Sequence, residues 1–198
     1  RRADAIRRRR RPCGPERGTV HTVDVSAHDP GRIHVAVHKY RENDFTPYIF
    51  RTNDYGATWK TLTDGSNGIP ADHSVRVVRE DPDRKGLLYA GTEFGLYVSF
   101  DDGAHWQSLQ LNLPQVPITD MLVHRQDLVL ATQGRAFWIL DDLTPLHQIQ
   151  AGMETEAAAL LAPRQAYRGL GGSARINFWL RDRKSTRLNS SHVVNSYS

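Results

Sequence analysis

The chain has 198 residues, of which 39% are hydrophobic and 24% are charged, and its formal net charge is +4. These values are typical of a globular protein, and no apolar run is long enough to span a membrane. The basic excess lies in residues 1–20 and 181–198, whereas acidic residues outnumber basic ones in between, which disfavours nucleic acid as a partner. Cys13 is the only cysteine, which excludes an internal disulfide and a cysteine-based zinc site.

Residues 1–19 are dominated by arginine, with an unbroken run at Arg7–Arg11. Such a segment cannot bury apolar surface and is predicted to be a disordered basic tail. A nucleic-acid-binding arm is the less favoured reading, because no aromatic residues are interleaved with the arginines. The sequence begins with Arg1 instead of Met, so we expect the natural N terminus to lie further upstream.

An internal repeat is the most informative feature of the chain. An eight-residue pattern, Ser/Thr-x-Asp-x-Gly-x-x-Trp, occurs twice with an offset of 47 residues. The first copy contains Thr52, Asp54, Gly56 and Trp59, and the second contains Ser99, Asp101, Gly103 and Trp106. The flanking apolar segments repeat with it, which marks a repeated structural unit.

A third, degenerate unit follows the second at an offset of 40 residues. It has the apolar segments Met121–Val123, Leu128–Thr132 and Trp138–Leu140, but Leu143 stands where the second copy has Gly103, and no tryptophan follows. Each unit holds three or four short strand-like runs separated by Asp-Pro, Asp-Gly and glycine-rich turns, the pattern of an antiparallel meander. Units of about 40–50 residues match propeller blades; a sandwich or a solenoid fits this period less well.

The sequence therefore predicts an all-β fold, a partial β-propeller of about three four-stranded antiparallel blades in residues 20–148. Residues 149–173 are predicted to be a connector and linker, with a short helix at Met153–Leu161 because this segment is rich in helix-forming residues. Ile176, Phe178 and Leu180 alternate with other residues, which predicts a strand in residues 174–181 that begins a second β-rich domain.

Residues 182–198 have a different origin in our interpretation. Asp182–His192 matches the translation of a common sequencing-library adapter over eleven consecutive residues. A match of this length indicates read-through into artificial sequence. We therefore predict a disordered segment, and base fold and function on residues 20–181 alone.

Each residue type in the repeated motif has an architectural explanation. An aspartate that opens a turn can accept hydrogen bonds from the backbone amides of that turn, and the serine or threonine hydroxyl can add another. Glycine tolerates the positive φ of a tight hairpin. Trp59 and Trp106 are predicted to fold back as large apolar plugs between neighbouring sheets.

The motif resembles the Asp-box, or bacterial neuraminidase repeat, of sialidases, some endoglucanases and sortilin-type propellers. Further segments over residues 20–168 are similar to a bacterial "glycosyl hydrolase" or sortilin-N-terminal-like family: Asn43–Tyr48, Leu88–Leu96, Thr132–Arg135 and Trp138–Asp142. This resemblance implies a secreted, periplasmic or cell-envelope protein, with the remaining propeller blades elsewhere in a longer parent chain. It implies a carbohydrate or peptide ligand.

Glycoside hydrolysis usually needs two carboxylates on either side of one bond, and the sequence does not single out such a pair. Glu93, between Gly91 and Gly95, is the weak candidate for a side chain at the central channel. The arginine triad and Tyr–Glu pair of sialidases are not matched at identifiable positions. No catalytic residue, cofactor or metal is assigned; His34 and His38 share a strand face, for which an exposed blade surface is the favoured interpretation.

The predicted function is a non-catalytic scaffold that binds a glycan or a peptide across its channel face. The alternative is a sialidase-like or endoglucanase-like glycoside hydrolase whose catalytic residues lie mostly outside this chain.

Overall fold

A computed structural model describes residues 17–63, 65–149, 153–165 and 176–181. Residues 1–16 of the expected tail, residues 150–152 and 166–173 of the expected connector and linker, and the adapter-like segment at 182–198 lie outside the described residues. The described part is almost entirely β-structure, as the sequence predicts. No helix in these ranges is both long and apolar enough to cross a bilayer.

Three consecutive meanders form the body of the protein. The first sheet contains β1 (Thr19–Val25), β2 (Ile33–Lys39), β3 (Asp44–Thr52) and β4 (Lys60–Thr63); the second contains β5 (Val75–Glu80), β6 (Leu88–Thr92), β7 (Leu96–Ser99) and β8 (Gln107–Ser108); the third contains β9 (Ile118–His124), β10 (Asp127–Thr132) and β11 (Phe137–Leu140). Helix α1 (Thr144–Gln148) and the antiparallel hairpin of β12 (Ala158–Leu161) and β13 (Asn177–Leu180) follow.

The first strands of the three sheets lie side by side at the centre. Strand β5 contacts β1 on one side and β9 on the other. Arg79 of β5 joins all three strands, because its guanidinium lies 3.4 Å from Asp24 of β1 and 2.9 Å from Asp120 of β9. The later strands of each sheet lie progressively outward. This arrangement of radiating antiparallel sheets is a partial β-propeller.

Two apolar layers hold the three sheets together. The layer between the first and second sheets includes Ile49, Leu62, Leu88 and Trp106. The layer between the second and third includes Tyr89, which is fully buried. Burial of this kind contributes about 25 cal/mol per Å² of apolar surface, so inter-sheet packing is the main stabilising term.

The third sheet differs from the prediction of four-stranded blades, since it has three strands within the described residues. Its outer hairpin is also one residue longer. Ala90 pairs with Tyr97 in the second sheet, and Leu130, forty residues later, pairs with Trp138, forty-one residues after Tyr97. On the other side, Val78 pairs with Ala90 and Met121 pairs with Leu130, so β9 lies 43 residues after β5. The offset of 40 therefore holds for β10 alone.

The predicted helix at Met153–Leu161 is wrong for most of its length. Only a single 3₁₀ turn forms at Met153–Thr155, and Ala158–Leu161 is a strand that pairs with Asn177–Leu180. Pairing with a partner strand has overridden the helix propensity of this alanine-rich segment. The short helix lies earlier, at Thr144–Gln148, where Pro145 occupies its first turn. The strand predicted in residues 174–181 is confirmed.

Candidate functional site

The two copies of the repeated motif form equivalent hairpins between β3 and β4 and between β7 and β8. Gly56 and Gly103 have φ values of 87° and 83°, as predicted. Thr52 Oγ1 accepts a hydrogen bond from the Gly56 amide at 2.9 Å, and Ser99 Oγ accepts the same bond from Gly103 at 2.9 Å. The hydroxyl therefore organises each turn.

The two aspartates complete these turns. Asp54 Oδ1 accepts the Thr58 amide at 2.8 Å, and Asp101 Oδ1 accepts the His105 amide at 2.8 Å. The hydroxyl of Thr58, together with its amide, lowers the pKa of Asp54 to about 2. Partial burial raises the pKa of Asp101, but hydrogen bonds from the His105 amide and ring outweigh it and lower the pKa overall. Both carboxylates are thus held ionised as turn acceptors.

The tryptophans of the two motifs lie in different surroundings. Trp106 is 4% exposed in the layer between the first and second sheets, where its Nε1 points to the Leu62 carbonyl oxygen at 3.4 Å. Trp59 is half-buried against Val35, Val37 and Phe50 on the other face of the first sheet. The predicted plug between two sheets is confirmed for Trp106, whereas Trp59 has one sheet only among the described residues.

A buried ionic cluster links the first and second sheets near the motifs, which sequence reasoning missed. Arg32 lies 3.2 Å from Glu80 and 3.0 Å from Asp102, and Arg51 forms a further ion pair with Asp102. His34 completes the cluster, with ligand-type atoms of His34, Glu80 and Asp102 within 4.8 Å of one another. Because two guanidinium groups already neutralise the two carboxylates, the cluster is better suited to clamping the sheets than to holding a cation.

The expectation that His34 and His38 lie on an exposed blade face is wrong. His34 is 0% exposed and His38 is 7% exposed, because the second sheet packs against this side of β2. Burial lowers the pKa of His34 to about 4, and the nearby arginines act in the same direction against the attraction of Glu80. His34 is therefore neutral near pH 7.

The opposite end of the sheets carries a second group of polar and aromatic side chains. We call it the loop face: the end where the β2–β3, β4–β5, β6–β7, β8–β9 and β10–β11 connections lie. Contacts between connections hold it together, since the Glu93 amide donates to the Ser74 carbonyl at 3.1 Å and the Gln133 amide donates to the Pro117 carbonyl at 2.9 Å. The loop face is remote from both motifs, which lie at the other end.

Glu93 lies on the loop face, in the β6–β7 connection. Its Oε1 accepts a hydrogen bond of 2.7 Å from Nε of Arg76, which is on the innermost strand β5. Both side chains are about one-quarter exposed. Among the described residues no other partner contacts these two side-chain termini, which leaves guanidinium N–H groups and one carboxylate oxygen available to a ligand.

Aromatic rings share the loop face with the ion pair. His38 stacks on Tyr40 at 4.6 Å between ring centroids. His73 lies 4.5 Å from Phe94, also between ring centroids, and shares a 2.9 Å hydrogen bond with the Tyr97 hydroxyl. Tyr40 and Phe94 are each 44% exposed. Burial lowers the pKa of His38, the positive charges of His21 and Arg76 act in the same direction, and Glu93 opposes them, so His38 lies within electrostatic reach of the ion pair.

Sequence reasoning selected Glu93 but not its surroundings. No sequence motif distinguishes Arg76 from the other arginines of the chain, and Phe94 directly follows Glu93 without belonging to any motif. The signal that could have identified them is positional: in a meander, every second connection lies at the same end. Residues of the β2–β3 and β6–β7 connections therefore share a surface although they are some fifty residues apart.

No known protein family matches the sequence, and no curated protein is detectably similar to it. Solved structures do share its fold. A GH74 enzyme from Niastella koreensis is 15% identical, with a TM-score of 0.50, over 81% of this chain and 28% of that chain. YCF48 from Cyanidioschyzon merolae is 13% identical, with a TM-score of 0.48, over 84% of this chain and 55% of that chain. YCF48 bound to a D1 peptide has a TM-score of 0.43 at 16% identity, over 63% of this chain and 36% of that chain.

These similarities concern the fold, which is that of a β-propeller. The chain spans about a quarter of the length of the GH74 structure and about half of the YCF48 structure from C. merolae.

Proposed function

We propose that this chain is part of an exported Asp-box β-propeller that binds a carbohydrate or a peptide at the loop face and acts as a scaffold, not as a catalyst. One observation carries the proposal: a partly exposed Arg76–Glu93 pair shares the loop face with the exposed rings of Tyr40 and Phe94. Aromatic faces stack on sugar rings or apolar side chains, while a guanidinium and a carboxylate supply directional hydrogen bonds.

The repeated motifs support a non-catalytic assignment. Their aspartates are the acidic residues that recur with the blades, and both accept hydrogen bonds from their own turns. They lie at the end opposite the loop face. A recurring acidic residue used in this way stabilises the repeat and is not free to act as a general acid or a nucleophile.

The proposal is tested by screening the 198-residue chain against an oligosaccharide array and a peptide array, followed by titration of the best ligand. Glu93→Gln and Tyr40→Ala are each expected to weaken binding at least tenfold while leaving the fold intact by circular dichroism. Lys85→Gln, an exposed change at the opposite end, is the matched control. Binding that is indifferent to both loop-face substitutions would contradict the proposal.

A glycoside hydrolase remains the second candidate, favoured by the shared fold of the GH74 enzyme from N. koreensis. The same oligosaccharides distinguish the two functions. A scaffold returns the bound oligosaccharide unchanged, whereas a hydrolase releases shorter sugars that chromatography detects. Turnover that Glu93→Gln abolishes would favour the enzyme.

A further inference from the structure

The third sheet ends one strand earlier than its neighbours. In the first two sheets β3 and β7 are each flanked by an outer strand, β4 or β8. Their counterpart β11 pairs only with β10 in the described part of the chain. The outer backbone edge of β11 therefore presents unpaired N–H and C=O groups, which can template a further strand.

The first two sheets show which sequence occupies this outer position. The segment after each motif hairpin is Trp59-Lys-Thr-Leu62 in the first sheet and Trp106-Gln-Ser-Leu109 in the second. In the second sheet Ser108 pairs with Tyr97, Gln107 pairs with Val98, and the Leu109 amide donates to the Leu96 carbonyl at 2.9 Å. The outer strand thus has the sequence Trp-polar-Ser/Thr-Leu in both sheets.

The third sheet retains the surfaces that such a strand needs. By register, Trp138 of β11 takes the place of Tyr97, and Ile139 takes the place of Val98. An apolar groove lies between β11 and the segment after β8, lined by Leu109, Leu111, Leu113, Leu130, Trp138 and Leu140. In the preceding interface the equivalent space, beside Leu62, is filled by Trp106. The groove therefore matches an incoming tryptophan.

The leucine of the strand also has a matching surface. Leu109 packs in the same apolar layer as Leu96 and Val98. Their counterparts on β11 are Phe137 and Ile139, which are 76% and 60% exposed. These two side chains are left uncovered on the face where the leucine would pack.

The 198 residues contain no third copy of this sequence. Trp-x-Ser/Thr-Leu occurs only at Trp59 and Trp106, and both copies already flank their own sheets; Trp138 and Trp179 are followed by other residues. We propose that the third sheet binds an extended Trp-x-Ser/Thr-Leu segment from outside these 198 residues as a fourth, antiparallel strand. Backbone hydrogen bonds to β11 supply affinity, and the tryptophan and leucine supply specificity. This site adjoins the loop face through the β8–β9 connection, but Arg76 and Glu93 are not part of it.

The probe is a fluorescein-labelled, acetylated and amidated peptide with the sequence of residues 104–111, Ala-His-Trp-Gln-Ser-Leu-Gln-Leu. Fluorescence anisotropy with the 198-residue chain is expected to show saturable binding. Replacing the peptide's Trp by Ala, or the Leu that follows Ser by Asp, should weaken it at least tenfold. Two peptides methylated on alternate backbone amides should differ, because only one set of amides faces β11.

On the protein side, Ile139→Lys is expected to weaken peptide binding at least tenfold. The side chain is exposed, so circular dichroism should show an intact fold. Val23→Lys is the control, since Val23 is similarly exposed at 56% but lies on the first sheet. Bound peptide should also slow hydrogen exchange at residues 137–140. Absence of saturable binding, equal binding to Ile139→Lys, or equal binding of both methylated peptides would overturn the proposal.

Discussion

At the scale of single residues, the motif aspartates stabilise turns. Asp101→Ala removes the acceptor of the His105 amide and of the Ser99 hydroxyl, at an expected cost of about 1–2 kcal/mol in the free energy of unfolding. Ligand binding at the loop face should be unchanged, since the motif lies at the opposite end. Thermal or urea unfolding and ligand titration on the same variant measure both effects.

The control for this substitution is Asp72→Ala, whose side chain is 81% exposed and has no short hydrogen bond. It should leave stability unchanged. If Asp101→Ala kept full stability but abolished ligand binding or turnover, the motif would be a functional site, and the architectural interpretation would be wrong.

Buried His34 predicts a dependence of stability on pH. Its pKa is lowered from 6.5 to about 4 in the folded chain, so between these values the unfolded chain binds more protons than the folded chain. Stability should therefore be fully present above about pH 6.5 and should fall as the pH drops toward 4. The charged groups around His34 are Arg32, Arg51, Glu80 and Asp102, and the arginines oppose protonation.

Urea unfolding at a series of pH values measures this effect. His34→Gln should flatten the dependence between pH 6.5 and 4, whereas the exposed His124→Gln should leave its slope unchanged. An unaltered slope in His34→Gln would show that other groups govern the acid sensitivity.

Much of the residue-level geometry could be predicted from the sequence. The positive φ of Gly56 and Gly103 and the turn-capping role of Asp54 and Asp101 are local properties, fixed by a few adjacent residues. The Arg32–Asp102 and Arg76–Glu93 pairs join residues far apart in the chain, and their partners depend on which strand ends meet. Nothing in local spacing specifies them.

At the scale of strands and hairpins, Trp59 and Trp106 occupy equivalent positions in the two motifs, so the effects of replacing them can be compared directly. Trp106→Ala should cost about 3–5 kcal/mol, because a large side chain is removed from a closed layer between two sheets. Trp59→Ala should cost less, because Trp59 is half-buried against one sheet. The free energy of unfolding of the two variants provides the comparison, and an equal or larger loss in Trp59→Ala would contradict it.

The same scale shows where sequence reasoning fails. The apolar segments and turn residues correctly predicted strands β1 to β11 as repeating meanders, since alternation and turn chemistry are local signals. Ala158–Leu161 was mistaken for a helix because its strand partner lies sixteen or more residues away. The one-residue insertion before Phe137 was also hidden, because turn length changes register without changing the apolar pattern.

At the scale of the whole molecule, two sheet faces carry exposed apolar side chains in the described residues. On the first sheet Val23 and Val25 are 56% and 60% exposed, whereas Val35 and Phe50 beside them are buried. On the third sheet Leu122 and Ile139 are each 60% exposed and both flank Val129. The exposed face of the first sheet is equivalent to the face that the second sheet turns toward the first, and the exposed face of the third sheet is equivalent to the face that the second sheet turns toward the third. The two exposed faces can therefore pack against each other.

The expected result is head-to-tail association of the 198-residue chain, in which the first sheet of one copy packs against the third sheet of another. Sedimentation velocity should show a mean mass that rises with protein concentration. Either Val25→Lys or Leu122→Lys should reduce association, because each contact needs both faces and a lysine would place a charge in an apolar layer. Asp72→Lys should leave association unchanged, because Asp72 lies in the β4–β5 connection and on neither of these two sheet faces. A monomer at every concentration, or association that one lysine abolishes and the other leaves intact, would contradict a head-to-tail contact.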